Sequence, residues 1–296
     1  MQYRRCLHSG LALSALRLRL SAHAYRKTPG AVREIVERGL ENGINAFQID
    51  SADAGFLNQI AQVLKVVDRG VLFISMTARD NYGVAYENGI NVDTLKQRLT
   101  EAFRLPGLQR LDLLSFQAAE YRALTAEDHA FLHHLIQGGM IGQVGVQIET
   151  ADFPNILDIG QPTSLLTNFD VTASKARRHM LETASRMDLS VFGQNYYPAR
   201  LLQGGQGESI RSHLQNVQDG DAPQGPSKYS FLFNEIGWTA QEICLGFALS
   251  QPALVNVGVV ARDSDHLDRL AKVVGRTLPR ALHAHIELGT FEDKAA

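Results

Sequence analysis

Short apolar runs recur along the chain at regular intervals, and polar or glycine-containing segments separate them. Runs of five to seven residues rich in Leu, Val, Ile and Phe are typical of β-strands that are buried on both faces. Eight such runs predict eight strands, at residues 15–20, 46–50, 71–76, 111–117, 142–148, 164–169, 189–195 and 255–261.

The segments between the predicted strands have the period of amphipathic helices. Residues 29–43 begin with proline and end with glycine, as helices commonly do, and their apolar face consists of Val32, Ile35, Val36 and Leu40. After the last predicted strand, Ser264 is a candidate N-cap for a helix whose apolar face consists of Leu267, Leu270, Ala271 and Val274.

The alternation of buried strands with amphipathic helices predicts an α/β fold in which helices cover a parallel sheet. Eight repeats favour a closed (β/α)8 TIM barrel over an open doubly wound sheet. The 296 residues suit one barrel domain that spans residues 1–296. Because functional residues of such barrels lie at the C-terminal ends of the strands, candidate site residues are sought there.

Two segments depart from this alternation. Residues 204–230 are rich in Gly, Gln, Asp and Pro and predict a surface loop longer than an ordinary strand-to-helix connection. This loop is interpreted as a lid over the site or as a contact for a protein partner, and the lid is favoured. Residues 290–296 predict a short tail, either a disordered polar end or, through its final Ala-Ala, a degradation signal.

Composition excludes several functions. Apolar residues make up 45% of the chain, charged residues 20%, and the net charge is −2, which gives no electrostatic basis for binding nucleic acid. No apolar stretch is long enough for a membrane span, and Arg17 and Arg19 interrupt an N-terminus that would otherwise resemble a signal peptide. The two cysteines, Cys6 and Cys244, lie far apart, which favours a reducing, cytoplasmic location.

The histidine positions do not favour a metal site. His133 and His134 are adjacent on a predicted helix, whereas two ligands on one helical face need a spacing of about four residues. His283 and His285 lie near the C-terminus. We therefore predict that the protein holds no metal.

Four segments, taken in chain order, resemble the aldo-keto reductase family. They are "YRRCLHSGLALSAL" at 3–16, "GLENGINAFQIDSA" at 39–52, "GGMIGQVGVQIE" at 138–149 and "VARDSDHLDRL" at 260–270. The resemblance implies a TIM barrel that opens with a β-hairpin. It also implies reduction of carbonyls by NADPH, in which a tyrosine protonates the developing alkoxide with help from an Asp, a Lys and a His.

The family's lysine and histidine positions hold other residues. A gapless match of the third predicted strand places Met76 at the lysine, and a match of the fourth places Gln117 at the histidine. Methionine carries no charge that could lower the pKa of a phenol, and an amide does not relay protons at neutral pH.

The aspartate and tyrosine positions depend on register. A two-residue shift places Asp50 at the aspartate, whereas Gln48 stands there without it. The tyrosine position holds Asp53 or Gly55, and the nearest tyrosines belong to the next loop, at Tyr82 and Tyr86. The resemblance thus implies a member with a degenerate catalytic tetrad, at Asp50, Gly55, Met76 and Gln117.

The resemblance also implies where a dinucleotide, NAD(H), would bind without redox use. Arg262 stands beside a predicted helix N-terminus, a combination suited to a phosphate. Val260 and Leu270 replace a glycine and an asparagine of the family at that turn. The expected cofactor-binding residues are Gln147, Gln194, Asn195, Tyr196, Arg200, Ala261 and Arg262.

Arg17 and Arg19 replace small residues of the family's first barrel strand. Either a guanidinium enters the pocket, or both side chains alternate outward and reach solvent. The sequence leaves these alternatives open.

A barrel that keeps a nucleotide site without proton chemistry suits a regulatory binding protein. The resemblance to degenerate members of the family implies protein partners, namely the tubulin-like division protein FtsZ and a cell-fate histidine kinase. The alternative is an enzyme, either an NAD(P)H-dependent oxidoreductase with an unusual proton donor such as Asp53, or another chemistry that uses Asp50 and Arg19.

Overall fold

Eight parallel strands close into a barrel in the computed structural model. The structure describes residues 1–25, 28, 30–51, 53–79, 92–157, 162–198, 229–233 and 235–289. The long loop predicted at 204–230 lies outside the described residues as far as residue 228, and the predicted tail at 290–296 lies wholly outside them.

The eight predicted strands are confirmed, and a two-stranded antiparallel hairpin precedes them. Each barrel strand pairs in parallel with the next along the chain, and the last pairs with the first. The hairpin consists of β1 (Tyr3–Arg5) and β2 (Ala12–Ser14), and the barrel of β3 (Leu16–Leu20), β4 (Ala46–Ile49), β5 (Phe73–Thr77), β6 (Leu113–Gln117), β7 (Val144–Gln147), β8 (Ser164–Asn168), β9 (Ser190–Gln194) and β10 (Leu254–Val259).

Helices follow the strands along the chain. Those in the described residues are α1 (Ala22–Tyr25), α2 (Ala31–Glu41), α3 (Ala54–Leu64), α4 (Val92–Phe103), α5 (Ala118–Ala123), α6 (Ala126–Gln137), α7 (Phe153–Leu157), α8 (Lys175–Arg186), α9 (Ala240–Ser250), α10 (Ser264–Val273) and α11 (Arg280–Gly289). None of these helices combines the length and apolar character needed to cross a membrane.

Local sequence signals set the helix ends. The predicted apolar face of α2 is buried at Val32, Ile35 and Val36, and Gly43 follows the helix with a positive φ of 78°, as expected for a terminating glycine. The predicted N-cap of α10 is wrong by one residue. Asp263 caps the helix by accepting from the His266 N–H, because the Ser264 hydroxyl instead donates to Glu34 Oε1 at 2.6 Å.

The apolar side chains form two clusters. The larger lies between the strands and the helices and includes the outward-facing residues of every barrel strand. The smaller fills the lumen near the hairpin, and its buried members are Cys6, Leu13, Ala46, Phe73, Leu113, Leu166, Phe192 and Val255. This second cluster closes the amino-terminal end of the barrel, so the polar residues of the lumen gather towards the carboxyl-terminal end.

Candidate functional site

The carboxyl-terminal mouth of the barrel is lined by side chains that face inward at the strand ends. Strand alternation places every second residue in the lumen. Near the mouth these inward positions hold five amides, one hydroxyl and one guanidinium; they are Arg19, Gln48, Thr77, Gln117, Gln147, Asn168 and Gln194. The mouth is therefore polar, in contrast to the closed end.

An ion pair between Arg19 and Asp50 lies at this mouth. Asp50 Oδ2 accepts from Arg19 Nη2 at 2.9 Å and from Nε at 3.2 Å, and Asp50 Oδ1 accepts from Gln48 Nε2 at 2.6 Å. The Asp50 side chain is 2% exposed and that of Arg19 is 15% exposed. Asp50 thus accepts three hydrogen bonds from its neighbours, and both of its oxygens are engaged.

Both arginines of β3 enter the lumen, which settles the two alternatives left by the sequence. Arg17 is fully buried, and its guanidinium lies over the Phe192 ring with 5.1 Å to the ring centroid. Gly258 on the neighbouring strand makes room for them. A Cβ at Gly258 would stand 2.9 Å from Arg19 Cδ and 3.2 Å from Arg17 Nη2.

Met76 faces away from the mouth. It is 3% exposed and packs in the apolar cluster between barrel and helices, where its strand partners Ile49 and Leu114 also lie. Thr77 takes the inward position at the end of β5, and its hydroxyl donates to the Arg79 carbonyl at 2.8 Å. The gapless match to the family is therefore wrong by one residue at this strand end, because it selects Met76, which faces outward, instead of Thr77, which faces the lumen.

Gln117 lies at the mouth, as the resemblance implied. Its Nε2 donates to Gln147 Oε1 at 3.1 Å, so two of the predicted site residues contact each other. Gln117 is also the N-cap of α5, where its backbone N–H donates to Glu120 Oε2 at 2.9 Å.

The region expected to hold a catalytic tyrosine is a helix start. Gly55 is exposed in the first turn of α3, and an added Cβ there would meet only Asp53 Oδ1, at 3.4 Å. Asp53 caps α3 by accepting from the Phe56 N–H at 2.7 Å. The Asp53 carboxylate therefore serves as the cap of this helix.

A chain of polar contacts extends from Arg19 across the mouth. Arg19 Nη1 donates to Asn195 Oδ1 at 3.2 Å, Asn195 Nδ2 donates to Asn168 Oδ1 at 2.8 Å, and Asn168 Nδ2 donates to Glu149 Oε1 at 3.1 Å. Asn195 has a φ of 46°, a left-handed conformation that asparagine tolerates better than most residues. This backbone geometry turns the chain at the end of β9 and points the amide along the rim.

The turns after β9 and β10 lie against each other through a polar network. Gln241 of α9 donates from Nε2 to the Tyr196 hydroxyl at 2.9 Å, and its Oε1 lies 3.1 Å from His266 Nε2. The backbone N–H of Arg262 donates to His266 Nδ1 at 3.2 Å. The predicted residues Tyr196 and Arg262 are therefore joined by one network.

The tyrosines beside this network are poor acids. Burial raises the pKa of Tyr196 well above the ordinary value for tyrosine, and burial raises the pKa of Tyr197 to about 12. Ala261 is buried, and its carbonyl accepts from the Tyr25 hydroxyl at 3.0 Å. Arg262 is exposed at the start of α10. Arg200, the remaining predicted contact, lies outside the described residues.

Neither a metal site nor the cavity at the far end of the barrel changes the description of the mouth. Within the described ranges, no group of three or more His, Cys, Asp and Glu side chains is placed to hold a metal ion. A cavity of about 300 Å³ lies at the opposite, hairpin end of the barrel and is lined by His8, Ser9, Arg110, Asp112 and Gln143, among others. Active sites of TIM barrels lie at the other face, so we assign this cavity no role.

Several polar residues of the mouth escape sequence reasoning. Thr77 and Asn168 take the inward positions at the ends of β5 and β8, and the resemblance assigns neither of them a role. The alternation of inward and outward residues along β5 and β8 could have revealed Thr77 and Asn168 once the strand ends were known.

Comparison with known structures identifies the fold. No family model matches the sequence. The holo form of aldo-keto reductase AKR11C1 from Bacillus halodurans superposes with a TM-score of 0.72 at 16% sequence identity, covering 98% of this chain and 96% of that chain. The apo form gives a TM-score of 0.67 at 16% identity with the same coverage. The protein thus has the aldo-keto reductase fold, a (β/α)8 barrel with an N-terminal hairpin.

Proposed function

We propose that this protein is an aldo-keto reductase-like barrel that binds NAD(H) as a regulatory ligand and does not reduce carbonyls. One observation carries the proposal: the last two residues of the eight barrel strands include no tyrosine, lysine or histidine. These pairs are 19–20, 48–49, 76–77, 116–117, 146–147, 167–168, 193–194 and 258–259.

Hydride delivery to a carbonyl requires a proton for the developing alkoxide. At this mouth Asp50 is ionically paired with Arg19 and also accepts a hydrogen bond from Gln48, so both of its oxygens are already engaged by donors of the protein. The amides of Gln117 and Gln147 contact each other and do not release protons at neutral pH. These groups are suited to binding a polar ligand rather than to acid catalysis.

The chemistry of the turns after β9 and β10 fits a dinucleotide. Asn195 offers an amide at the rim, and Arg262 offers an exposed guanidinium at the start of α10, where helix N–H groups favour phosphate. The network through Gln241 and His266 couples these two turns. A ligand that contacts both turns would therefore restrain two loops of the same face at once.

Such coupling supports a regulatory role. A dinucleotide that orders the loops of the mouth changes the surface available to a protein partner, because binding of ligand and partner is thermodynamically linked. We propose a regulator of the type of the bacterial cell-division protein KidO, with FtsZ and a cell-fate histidine kinase as partners. The predicted loop at 204–230 is our candidate for the contact region.

Calorimetric titration with NADH and NADPH tests the ligand. We expect saturable binding that Arg262→Gln weakens about 3- to 10-fold, since a charge-assisted hydrogen bond to phosphate is lost. Arg269→Gln, an exposed arginine on the same helix, is the matched control and should bind as the parent does. Absence of binding to both nucleotides would contradict the proposal.

The partners are tested by sedimentation of FtsZ polymers and by autophosphorylation of the kinase, each with and without NADH. We expect less pelleted FtsZ and less phosphorylated kinase when the protein and NADH are both present. If neither readout changes while NADH binds, the ligand part of the proposal stands and the partner part is wrong.

The Arg19–Asp50 pair supports a second candidate, an enzyme acting on a small polar molecule at the mouth. A guanidinium beside a carboxylate can bind an anionic substrate and hold a base close to it. Turnover of a substrate panel that Asp50→Asn abolishes would favour this alternative over the regulatory proposal.

A further inference from the structure

The lumen of the barrel has an excess of positive charge beneath the mouth. Arg17 and Arg19 enter it from β3, and Asp50 is the acidic group whose charge acts on Arg17. Asp50 Oδ2 is taken by Arg19 and Oδ1 by Gln48. Among the described residues, no carboxylate lies within salt-bridge distance of Arg17. Two guanidinium groups thus share one carboxylate.

Arg17 is also short of hydrogen-bond acceptors. Its Nη2 donates to the Gly193 carbonyl at 3.3 Å, and the guanidinium lies over Phe192. Its Nε and Nη1 have no acceptor in the part of the chain that the structure describes, although the residue is 0% exposed. A buried charge without partners is strongly unfavourable. The Arg17 guanidinium therefore needs a counter-charge, and none of the described residues supplies it.

Further unused donors lie on the strands next to Arg17. Gln194 Nε2 and Asn256 Nδ2 are buried without a partner within the described ranges, and these residues are 1% and 0% exposed. Gln194 follows the glycine whose carbonyl accepts from Arg17. Asn256 is paired in register with Phe192, over which Arg17 lies. Four nitrogen donors without acceptors therefore come from three adjacent strands, β3, β9 and β10.

We infer that the lumen beside Arg17 is a binding site for a compact carboxylate of the size of formate or acetate. A single negative charge balances the excess in the lumen, and the two oxygens of a carboxylate match the planar donor pair of a guanidinium. The amide N–H groups of Gln194 and Asn256 would complete its coordination. The site shares only Gln194 with the residues expected at the dinucleotide, so it does not rest on the proposed function.

Thermal unfolding without nucleotide tests this site. Sodium formate and acetate are compared with sodium chloride and with sodium gluconate, a bulky carboxylate of equal charge, at matched ionic strength. We expect formate to raise the midpoint saturably, by about 2 °C or more at saturation, with gluconate giving no saturable rise. Arg17→Met should abolish the formate response, while Arg33→Met, an exposed arginine, should keep it.

Three outcomes would overturn the inference: no saturable response to formate or acetate, a response to chloride alone, or an Arg17→Met variant that responds as the parent does. Circular dichroism establishes whether Arg17→Met folds. If it does not, crystals of the parent protein grown in formate decide the question. We expect density for formate oxygens about 2.7–2.9 Å from Arg17 nitrogens, and formate-free density at Arg17 would contradict the site.

Discussion

The two ends of the barrel lumen have opposite chemistry. The end near the hairpin is filled by apolar side chains, including Phe73, Leu113 and Phe192. The other end holds Arg17, the Arg19–Asp50 pair and several amides, some of them buried without partners. Apolar packing contributes stability, whereas unsatisfied buried polar groups oppose it. This contrast supports our proposal that the first end maintains the fold and the second binds a ligand.

Phe192→Ala should have the largest effect, because Phe192 is fully buried and forms the floor beneath Arg17. We expect a loss of about 3–5 kcal/mol in the free energy of unfolding, through lost burial and a new cavity. Urea unfolding measures it, and Val66→Ala, at a position 79% exposed, serves as the control. A loss below about 1 kcal/mol would refute the view that this end maintains the fold.

Asp50→Asn should come next, with a loss of about 2–4 kcal/mol, because both arginines of the lumen would be left without a carboxylate. Arg17→Met should change stability little or increase it, since it removes a buried charge that has no carboxylate partner. Urea unfolding of the two variants is the measurement. An equal loss in the free energy of unfolding of both variants would contradict the view that Asp50 pairs with Arg19 and that Arg17 has no carboxylate partner.

Gly258→Ala should cost about 1–2 kcal/mol, because its Cβ would stand 2.9 Å from Arg19 Cδ and the arginine must shift. The shift should also break the contact between Arg19 and Asp50, so a crystal structure of the variant is the sharper readout. An unmoved Arg19 with parental stability would show that the glycine is not needed there.

The smallest effect concerns pH. A hydrogen bond from Arg122, together with one from the backbone of Glu149, lowers the pKa of Asp152. A lowered folded-state pKa stabilises the protein above the unfolded value of about 3.9, and this contribution is lost as pH falls through the folded-state pKa. Asp152→Asn should therefore cost less than about 1 kcal/mol at neutral pH, and the difference from the parent should vanish once the pH lies below the folded-state pKa of Asp152. A difference that persists in acid would contradict this origin.

The barrel architecture could be predicted from the sequence because the patterns typical of strands and helices are local and recur eight times along the chain. Residues 15–20 and 164–169 read as strands from composition alone, and both are strands in the structure. Eight repeats then leave few topologies other than a closed barrel. The N-cap of α10 was misplaced because Asp263 and Ser264 are both good caps, and a contact with Glu34, 230 residues away, selects between them.

The site was less predictable because it depends on which face of each strand is buried in the lumen. The position of Met76 changes side with a one-residue shift of register, and the sequence match did not resolve that shift. The inward direction of Arg17 could not be deduced either, since arginine alternating with leucine is the pattern of a strand with a solvated face. Gly258, distant in sequence, permits the buried arrangement.

The central claim, that the mouth binds NAD(H) but cannot complete carbonyl reduction, is tested most directly by a single-turnover experiment. Protein in excess over NADH is mixed with a panel of aldehydes and ketones, and the absorbance of the bound nicotinamide is followed. We expect NADH to remain bound and reduced throughout. Oxidation of the bound NADH with formation of one alcohol per cofactor would contradict it.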